Sequence, residues 1–234
     1  MKAILLAAGF GTRLRPLTDN TPKCLVPIDG RPLLDYWLAT LIDSGIERVL
    51  VNCHYLAEQV VEHVATSAFA RSVEIVHETV LLGTAGTLRV NRDFFGGEDG
   101  LLIHADNYSE ANIRELIVTH SGRPKNCLLT MLTFRTSTPE SCGIVEVDSD
   151  GVVVSYTEKP RDSPTNLANG AVYVLSGQLV GSLANESDFS TDVLPDLVGR
   201  MMSHETMAVH IDIGSRQSYA EANGLASQRR LSGR

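Results

Sequence analysis

The feature that most constrains this fold is a short apolar run near the amino terminus that ends at two glycines. Residues 3–8 are apolar, and Gly9 and Gly11 follow closely, which is the pattern of a buried strand ending in a tight loop. The loop then becomes basic, and its cations are Arg13, Arg15 and Lys23. Glycines let backbone N–H groups approach phosphate oxygens, while guanidinium and ammonium groups neutralise their charge. The sequence therefore predicts a polyphosphate-binding loop after the first strand.

Two familiar phosphate-binding motifs do not fit this loop. The dinucleotide fingerprint needs a third glycine where this chain has Leu14, and the P-loop needs a Gly-Lys-Ser/Thr triplet that the sequence lacks. The stretch from Leu6 to Lys23 is instead similar to the signature of the sugar-1-phosphate nucleotidyltransferases, Leu-Ala-Ala-Gly-x-Gly-Thr-Arg-Leu-x-Pro-Leu-Thr followed by Pro-Lys. Matches of this length rarely arise without their structural context, which disfavours a merely structural glycine turn.

Charge and hydropathy favour a small anionic substrate over a nucleic acid or a membrane. The net charge of −8 would repel DNA or RNA, yet the first 31 residues carry five cations and two anions. The sequence has no 18-residue apolar run, and its amino-terminal apolar run is too short for a signal peptide. We therefore expect a cytoplasmic protein that binds neither nucleic acid nor membrane. A homo-oligomer is compatible with the sequence.

Strand and helix patterns alternate along the first third of the chain. Apolar positions recur at helical spacing over residues 33–42 and 57–64, and short apolar runs at 49–51 and 73–76 indicate strands. This alternation predicts βαβ units with right-handed crossovers. We predict an α/β fold: a single Rossmann-like domain over residues 1–234, with a mainly parallel sheet and helices on both faces. Ligands of such sheets bind beyond the carboxyl ends of the strands, where the glycine loop would lie.

Patterns in the second half of the chain add further elements. Two strands over 143–156 are joined by Asp148-Ser149-Asp150-Gly151, a sequence typical of a hairpin turn. Apolar residues from Val193 to Met202 have helical spacing and predict a helix with a core-facing methionine stripe. A last helix is expected from about Ser215. Longer family members add a carboxyl-terminal domain, for which we expect no room in this chain.

The resemblance implies roles for residues of the loop and of a second glycine-containing segment. It implies that Arg13 holds the leaving phosphates and that Lys23 bridges the phosphates of both substrates. Other residues would contact the nucleotide: Ala7, Ala8, Gly9, Gly11, Thr12, Gly83, Thr84 and Ala85. The last three lie in Leu-Gly-Thr-Ala-Gly-Thr-Leu, which is similar to the base-contacting segment of guanylyltransferases. A helix start of poor propensity is the alternative interpretation of that segment.

Two aspartates are candidate Mg²⁺ ligands. Asp106 follows a short apolar run, and an aspartate at the end of a central strand suits Mg²⁺, which prefers hard oxygens and only one or two protein carboxylates. A strand-end cap is an equally good explanation from Asp106 alone. The resemblance implies Asp106 and Asp212 as the metal ligands. His104 and His210 each precede one aspartate by two residues, and we expect them to be structural because imidazole suits Mg²⁺ poorly.

The resemblance also implies a sugar-phosphate site. It implies that Glu158 accepts hydrogen bonds from sugar hydroxyls and that Lys159 binds the sugar phosphate. The remaining candidates are Asn107, Gly143 and Asn169. The Glu-Lys-Pro tripeptide is a weak signal alone, and its order after the earlier motifs is what makes it informative.

The implied reaction joins an NTP and a sugar 1-phosphate to form an NDP-sugar and pyrophosphate. The sequence has no Ser-His or Cys-His pair in a motif context, which fits a direct Mg²⁺-assisted displacement without a covalent intermediate. GTP with mannose or heptose 1-phosphate is the expected substrate pair. A uridylyl-, thymidylyl- or cytidylyltransferase acting on another sugar or amino-sugar phosphate is the alternative. A catalytically silent NDP-sugar-binding regulator would keep the fold, although it need not retain all four charged residues of the predicted centre.

Overall fold

The computed structural model describes residues 1–232, and it confirms the predicted α/β class. The strands are β1 (Lys2–Leu6), β2 (Pro27–Ile28), β3 (Arg31–Pro32), β4 (Arg48–Cys53), β5 (Val73–His77), β6 (Gly100–His104), β7 (Asn107–Ser109), β8 (Leu129–Arg135), β9 (Gly143–Val147), β10 (Val153–Glu158), β11 (Leu167–Leu175), β12 (Met201–Glu205) and β13 (His210–Asp212). The α-helices are α1 (Leu33–Asp43), α2 (Ala57–Thr66), α3 (Thr84–Val90), α4 (Ile113–Ser121), α5 (Gly177–Ser182) and α6 (Arg216–Ser232). No helix in the described part of the chain combines the length and apolar character needed to cross a membrane.

The chain divides into two compact units. The first unit comprises residues 1–4, 82–103 and 111–207, and the second comprises residues 5–81, 104–110 and the chain from 208 onward. The last two residues of the domain predicted over 1–234 lie outside the described residues. The single-domain organisation stays a prediction.

The second unit contains the βαβ arrangement predicted for the first third of the chain. Strands β4 and β5 pair in parallel, and α2 connects them. Helix α1 buries the apolar face that its spacing predicts, with Trp37 and Leu38 almost fully covered. A further core lies under α6, where Ala222 and Ala226 pack with Leu14, Ile28 and neighbouring apolar residues. This core holds the loop after β1 against the carboxyl-terminal helix.

The first unit is built around β11. This strand pairs antiparallel with β6, with β8 and, at one position, with β9. The predicted hairpin is confirmed, since β9 and β10 pair antiparallel across a turn in which Gly151 has a φ of +82°. Strand β12 runs parallel to β8. Fully buried side chains such as Leu129, Val174 and Met201 form the core at these pairings.

The helix predicted over residues 193–202 is wrong in extent. Only two short helical segments form there, Phe189–Val193 and Pro195–Leu197, and the chain then becomes extended at Val198. Gly199 has a φ of +79°, a conformation that stops a helix, and Met201 begins β12. The expected burial holds for Met201, which is fully buried and pairs with Leu129 of β8, whereas Met202 is only half-buried. Pairing within the sheet overrode the helical spacing.

Candidate active site

The loop after β1 folds back on itself at Gly11. This residue has a φ of +63°, and a Cβ there would lie 3.0 Å from Thr18 Cγ2 and 3.1 Å from Lys23 Cβ. The Thr18 hydroxyl donates a hydrogen bond of 2.7 Å to the Gly11 carbonyl. A glycine is therefore needed for both the backbone conformation and the close packing. At Gly9, by contrast, an added Cβ would meet no atom within 4 Å, so the chain's own packing does not require a glycine there.

A buried polar chain ties the end of β1 to the strands beside it. The Ala7 N–H donates to Asn52 Oδ1 at 2.7 Å, and Asn52 Nδ2 donates to Glu78 Oε1 at 2.9 Å. Asn52 and Glu78 are both buried. The Ala7 N–H therefore supports the scaffold of the loop. The sequence analysis missed Asn52 and Glu78. Each is a single polar residue at or near the end of an apolar run, which is a weak signal.

The centre of the second unit is an ammonium group held between two carboxylates. Lys23 Nζ lies 2.8 Å from Asp106 Oδ2 and 3.2 Å from Asp212 Oδ1. Lys23 is only 8% exposed, whereas both aspartate side chains are partly open to solvent. A buried ammonium is stable only when it is paired, and here it has two ionic partners. The structure thus brings together three of the residues that the sequence predicts for the catalytic and metal sites.

A two-stranded ladder explains why the two aspartates converge. Strands β7 and β13 pair antiparallel, with Asp212 opposite Asn107. The Ile213 N–H donates to the Asp106 carbonyl at 3.1 Å, which continues the ladder by one residue. The Ala105 N–H donates to the Leu6 carbonyl at 3.0 Å, so the segment carrying Asp106 runs beside the end of β1. These contacts place both carboxylates next to the glycine loop.

Arg13 lies at the edge of this centre. Its Nη2 is 3.7 Å from Asp212 Oδ2, and its side chain is 71% exposed. An ion pair at this distance and exposure contributes little to stability. The guanidinium lies beside the Asp212 carboxylate and is mostly exposed, an arrangement suited to binding an anionic ligand.

The electrostatics and donor set of this centre fit a hard divalent cation. Partial burial would raise the pKa of Asp106, but the Lys23 ammonium and the neighbouring His104 hold it below its ordinary value, so the carboxylate is charged at neutral pH. Mg²⁺ commonly uses one or two carboxylates, with water and phosphate completing its shell. The described residues contain no group of three or more histidine, cysteine or acidic side chains that could hold a metal. Asp106 and Asp212 offer two such carboxylates beside the loop, and their role as Mg²⁺ ligands stays a prediction.

Asn107 has local partners in the structure. It is buried, its Nδ2 donates to the His104 carbonyl at 3.3 Å, and its own carbonyl accepts from Trp37 Nε1 at 2.7 Å. His210 likewise has a local partner, with Nδ1 lying 2.9 Å from Ser109 Oγ. These contacts stabilise the β7–β13 ladder. The sugar-phosphate role of Asn107 stays a prediction.

In the first unit, the segment predicted to contact the nucleobase is held by residues 187–189. Gly83 has a φ of +79°, and a Cβ there would lie 2.3 Å from the Ser187 carbonyl oxygen. That oxygen accepts hydrogen bonds from the N–H groups of Ala85 and Gly86 at 3.0 and 3.2 Å. Ala85 is fully buried, which leaves Gly83 and Thr84 as the more accessible part of the segment. The nucleotide role of residues 83–85 stays a prediction.

Glu158, predicted to bind sugar hydroxyls, is oriented by a tyrosine on its own strand. Tyr156 Oη donates to Glu158 Oε2 at 2.6 Å, and the two side chains share a face of β10 because they are two residues apart. Gly143 pairs with Glu158 across the hairpin, where a Cβ would lie 2.7 Å from Tyr156 Oη and 2.8 Å from Glu158 Oε2. Gly143 thus leaves room for this hydrogen-bonded pair. Lys159 Nζ lies 3.2 Å from Glu158 Oε1 and is largely exposed.

Asn169 lies in an irregular part of β11. The pairing register with β8 shifts between Asn169 and Tyr173, and Ala171 has a φ of +52°. Asn169 Nδ2 donates to Tyr173 Oη at 2.8 Å, and its Oδ1 accepts from the Ala171 N–H at 2.9 Å. Burial raises the pKa of the Tyr173 hydroxyl, as it does for Tyr156, so both hydroxyls remain protonated. Sequence reasoning missed both tyrosines, because an aromatic residue in a strand more often indicates core packing.

This chain is similar to known nucleotidyltransferases over most of its length. The family model described as "Nucleotidyl transferase" matches residues 2–229. A provisionally named mannose-1-phosphate guanyltransferase of Sulfolobus acidocaldarius is 30% identical over 230 residues, which cover 95% of this chain and 62% of that protein. A glucose-1-phosphate thymidylyltransferase of Streptomyces griseus is 35% identical over 181 residues, which cover 75% of this chain and 49% of that protein.

A solved structure shares the fold. The crystal structure of HddC from Yersinia pseudotuberculosis, complexed with GMP-PN, is 26% identical with a TM-score of 0.81, and the match covers 96% of this chain and 99% of that one. The present chain spans only about three fifths of the length of the first curated relatives that it matches.

Proposed function

Because this chain belongs to the nucleotidyl transferase family, we propose that it is a sugar-1-phosphate nucleotidyltransferase. It would transfer a nucleoside monophosphate from an NTP to a sugar 1-phosphate and release pyrophosphate. The observation that carries this proposal is the convergence of Lys23, Asp106 and Asp212 beside the glycine loop, with Lys23 Nζ within 3.2 Å of both carboxylates. A buried cation and two carboxylates next to a phosphate-type loop suit a polyphosphate that carries a metal ion.

The reaction requires the protein to position the substrates and stabilise charge more than to transfer a proton. The phosphate oxygen of the sugar substrate is already anionic when it attacks the α-phosphorus, so no general base is required. Arg13 would hold the leaving phosphates, and Lys23 would neutralise charge on the phosphates of both substrates. Asp106 and Asp212 would hold a Mg²⁺, which supplies Lewis-acid stabilisation of the phosphate when it is bound. The protein would thus stabilise charge as it moves onto pyrophosphate.

The proposed nucleotide and sugar sites take their residues from the sequence prediction. The backbone of residues 7–12 would line the triphosphate, and the 83–85 segment would lie by the base. In the first unit, Glu158 would accept hydrogen bonds from sugar hydroxyls while the exposed ammonium of Lys159 would bind the sugar phosphate. Asn107, Gly143 and Asn169 complete the proposed sugar-phosphate set.

We propose GTP as the nucleotide and mannose or heptose 1-phosphate as its partner. The name of the Sulfolobus acidocaldarius relative and the GMP-PN complex of the Yersinia pseudotuberculosis structure support a guanine nucleotide. A second candidate is thymidylyl transfer to glucose 1-phosphate, which is favoured by the 35% identity with the Streptomyces griseus protein. Base choice can depend on a single hydrogen bond, so relatives at this identity support the reaction class more strongly than the base. We propose that the protein acts in the cytoplasm, as the sequence predicts.

A nucleotide panel tests this proposal. The protein with Mg²⁺ would be incubated with each of GTP, dTTP, UTP, CTP and ATP, and with mannose, glucose and heptose 1-phosphates, while pyrophosphate release is followed. We expect turnover with GTP and one of the hexose or heptose phosphates, and a matching NDP-sugar by mass spectrometry. Turnover with dTTP and glucose 1-phosphate would select the second candidate.

The silent regulatory homologue has its own outcome in the same panel. It would bind an NDP-sugar in calorimetry and release no pyrophosphate with any pair. The Lys125→Met variant, which changes an exposed lysine outside the proposed sites, should behave like the wild type in both measurements. The retention of Lys23, Asp106, Asp212 and Arg13 argues for turnover, because a regulator need not keep all four.

A further inference from the structure

We propose that Gly214 and Arg216 are positioning residues that hold Arg13 in place for phosphate binding. This inference rests on the proposed function and extends it to the segment that follows Asp212. Both residues lie in the second unit, as do the loop cations that they contact. Neither is predicted as a site residue from the sequence.

The first observation is the space above Gly214. A Cβ built on this residue would lie 2.6 Å from Arg13 Nη2, 2.6 Å from Asp212 Oδ2 and 2.9 Å from Arg13 Cζ. These distances are far below ordinary van der Waals contact, so any side chain here would displace the guanidinium or the carboxylate. The φ of Gly214 is not positive, so the backbone conformation does not require a glycine here. The positions of Arg13 and Asp212 do, because they occupy the space that a Cβ would take.

The second observation is a hydrogen-bonded anchor on the same loop. Arg216 donates from Nη2 to the Arg15 carbonyl at 2.6 Å and from Nε to the same oxygen at 3.2 Å. Arg216 begins α6, whose apolar residues pack in the core that also contains Leu14. The two residues that follow Arg13 are thus both held in place. Leu14 is buried in this core, and the Arg15 carbonyl accepts hydrogen bonds from the Arg216 guanidinium.

Together these contacts restrict a cation that would otherwise be mobile. The Arg13 side chain is 71% exposed, and its pairing with Asp212 at 3.7 Å is too long to fix the guanidinium by itself. A flat surface at Gly214 lets the guanidinium lie against the chain next to Asp212, and the anchored Arg15 carbonyl limits how far the loop can move. Restricting a long side chain before binding reduces the entropy lost when a phosphate is bound.

A double-mutant cycle tests this mechanism with inorganic pyrophosphate as the probe. Affinity for pyrophosphate with Mg²⁺ would be measured by calorimetry for the wild type, Gly214→Ala, Arg13→Ala and the double variant. We expect Arg13→Ala to weaken binding about 100-fold and Gly214→Ala about tenfold, since each removes or displaces a charge-assisted contact. The double variant should lose less than the product of the two single losses, because the Cβ no longer meets the Arg13 guanidinium there while its contact with Asp212 remains.

Two further variants separate positioning from a loss of folding. Gly224→Ala is the matched control, since a Cβ there meets no atom within 4 Å and lies on α6 of the same unit. Its affinity should equal that of the wild type, and its thermal stability should be no lower because alanine favours a helix more than glycine does. Arg216→Ala should weaken pyrophosphate binding about threefold, with no further loss in the Arg13→Ala background.

The outcomes distinguish this inference from the proposed function. A Gly214→Ala effect that is equally large without the Arg13 side chain overturns the inference, as does a wild type that binds no pyrophosphate. If pyrophosphate binds and the cycle behaves as expected while no NTP and sugar phosphate pair turns over, the positioning role stands and the transferase proposal fails.

Discussion

The two predicted subsites of this protein depend on different electrostatic interactions. In the second unit, the almost buried ammonium of Lys23 lies between two carboxylates, so this site consists of full charges. In the first unit, the Glu158 carboxylate has an exposed ionic partner, Lys159, but it is oriented by a neutral tyrosine hydroxyl, and a second hydrogen-bonded pair lies on β11. Charges act over long distances with little directionality, whereas hydrogen bonds require close alignment. The difference fits charge stabilisation in one unit and recognition of hydroxyl stereochemistry in the other.

The largest expected effect concerns the charged subsite. Lys23→Met keeps the length of the side chain but removes the ammonium, and it leaves Asp106 and Asp212 without their shared cation. We expect the barrier to pyrophosphate release to rise by about 4 kcal/mol, or roughly a thousandfold in rate. Single-turnover measurements at saturating Mg²⁺ would detect this change, with Lys125→Met as the control. A loss smaller than tenfold would show that the charge of Lys23 is not central.

The next effect is on metal dependence. Asp212→Asn retains the shape of the side chain and removes one negative charge from the proposed Mg²⁺ donors. The Mg²⁺ concentration for half-maximal turnover should rise about 50-fold, which corresponds to roughly 2.3 kcal/mol. Asp150→Asn, in the exposed hairpin turn, is the control. An unchanged Mg²⁺ titration would rule out Asp212 as a ligand.

A difference in acid sensitivity sharpens the contrast between the units. Burial, together with the nearby Arg123 charge, lowers the pKa of His120 in the first unit to about 4, so the folded protein holds it neutral while the unfolded chain protonates it below about 6.5. The folded state therefore loses stability as pH falls from 6.5 toward 4. In the second unit, the pKa of Asp106 is lowered. Its carboxylate therefore keeps its stabilising charge until the pH falls below 3.8, the ordinary pKa of an aspartate.

His120→Gln tests this difference directly. Between pH 7 and pH 4.5, the free energy of unfolding should fall in both proteins, but by on the order of 2 kcal/mol less in the variant than in the wild type. Denaturant unfolding at the two pH values measures this, and the exposed His77→Gln serves as the control. Equal acid sensitivity in the wild type and His120→Gln would contradict a neutral buried His120.

The smallest expected effect concerns the Tyr156–Glu158 pair of the first unit. Tyr156→Phe removes the hydroxyl that donates to Glu158 and leaves the ring in place. The KM for the sugar 1-phosphate should rise about tenfold, or roughly 1.4 kcal/mol, with the KM for the nucleotide unchanged. Tyr36→Phe, which removes a hydroxyl bonded to the Ile28 carbonyl, is the matched control. Equal changes in both KM values would indicate a general structural role for Tyr156.

Most of the fold follows from local patterns. Helix α1 and the β4–α2–β5 unit agree closely with their predicted spans, because their apolar periodicity matches the burial that the structure gives them. Residues 193–202 are the exception. Their spacing fits a helix, yet Met201 and Met202 pair with β8, since sheet pairing depends on a partner about 70 residues away in the chain.

The site is predictable where its residues share one motif. Gly11, Arg13 and Lys23 lie within one short stretch whose composition already indicates phosphate binding. Asn52, Glu78 and Tyr156 lack such a signal, because a single polar or aromatic residue near a strand end is common in structural positions. Only their hydrogen bonds distinguish them.

The sequence by itself determined the α/β alternation, the glycine loop and the identity of its cations, because each depends on residues close together in the chain. The tertiary structure decided which carboxylates face those cations. Lys23 and Asp212 are 189 residues apart, and Lys23 reaches both carboxylates because the three-residue strands β7 and β13 pair in a register that brings Asp212 beside Asp106. Strands that short have almost no local signal, and a register is set by long-range pairing. The same reasoning applies to Gly214, whose missing side chain matters only because Arg13 lies above it.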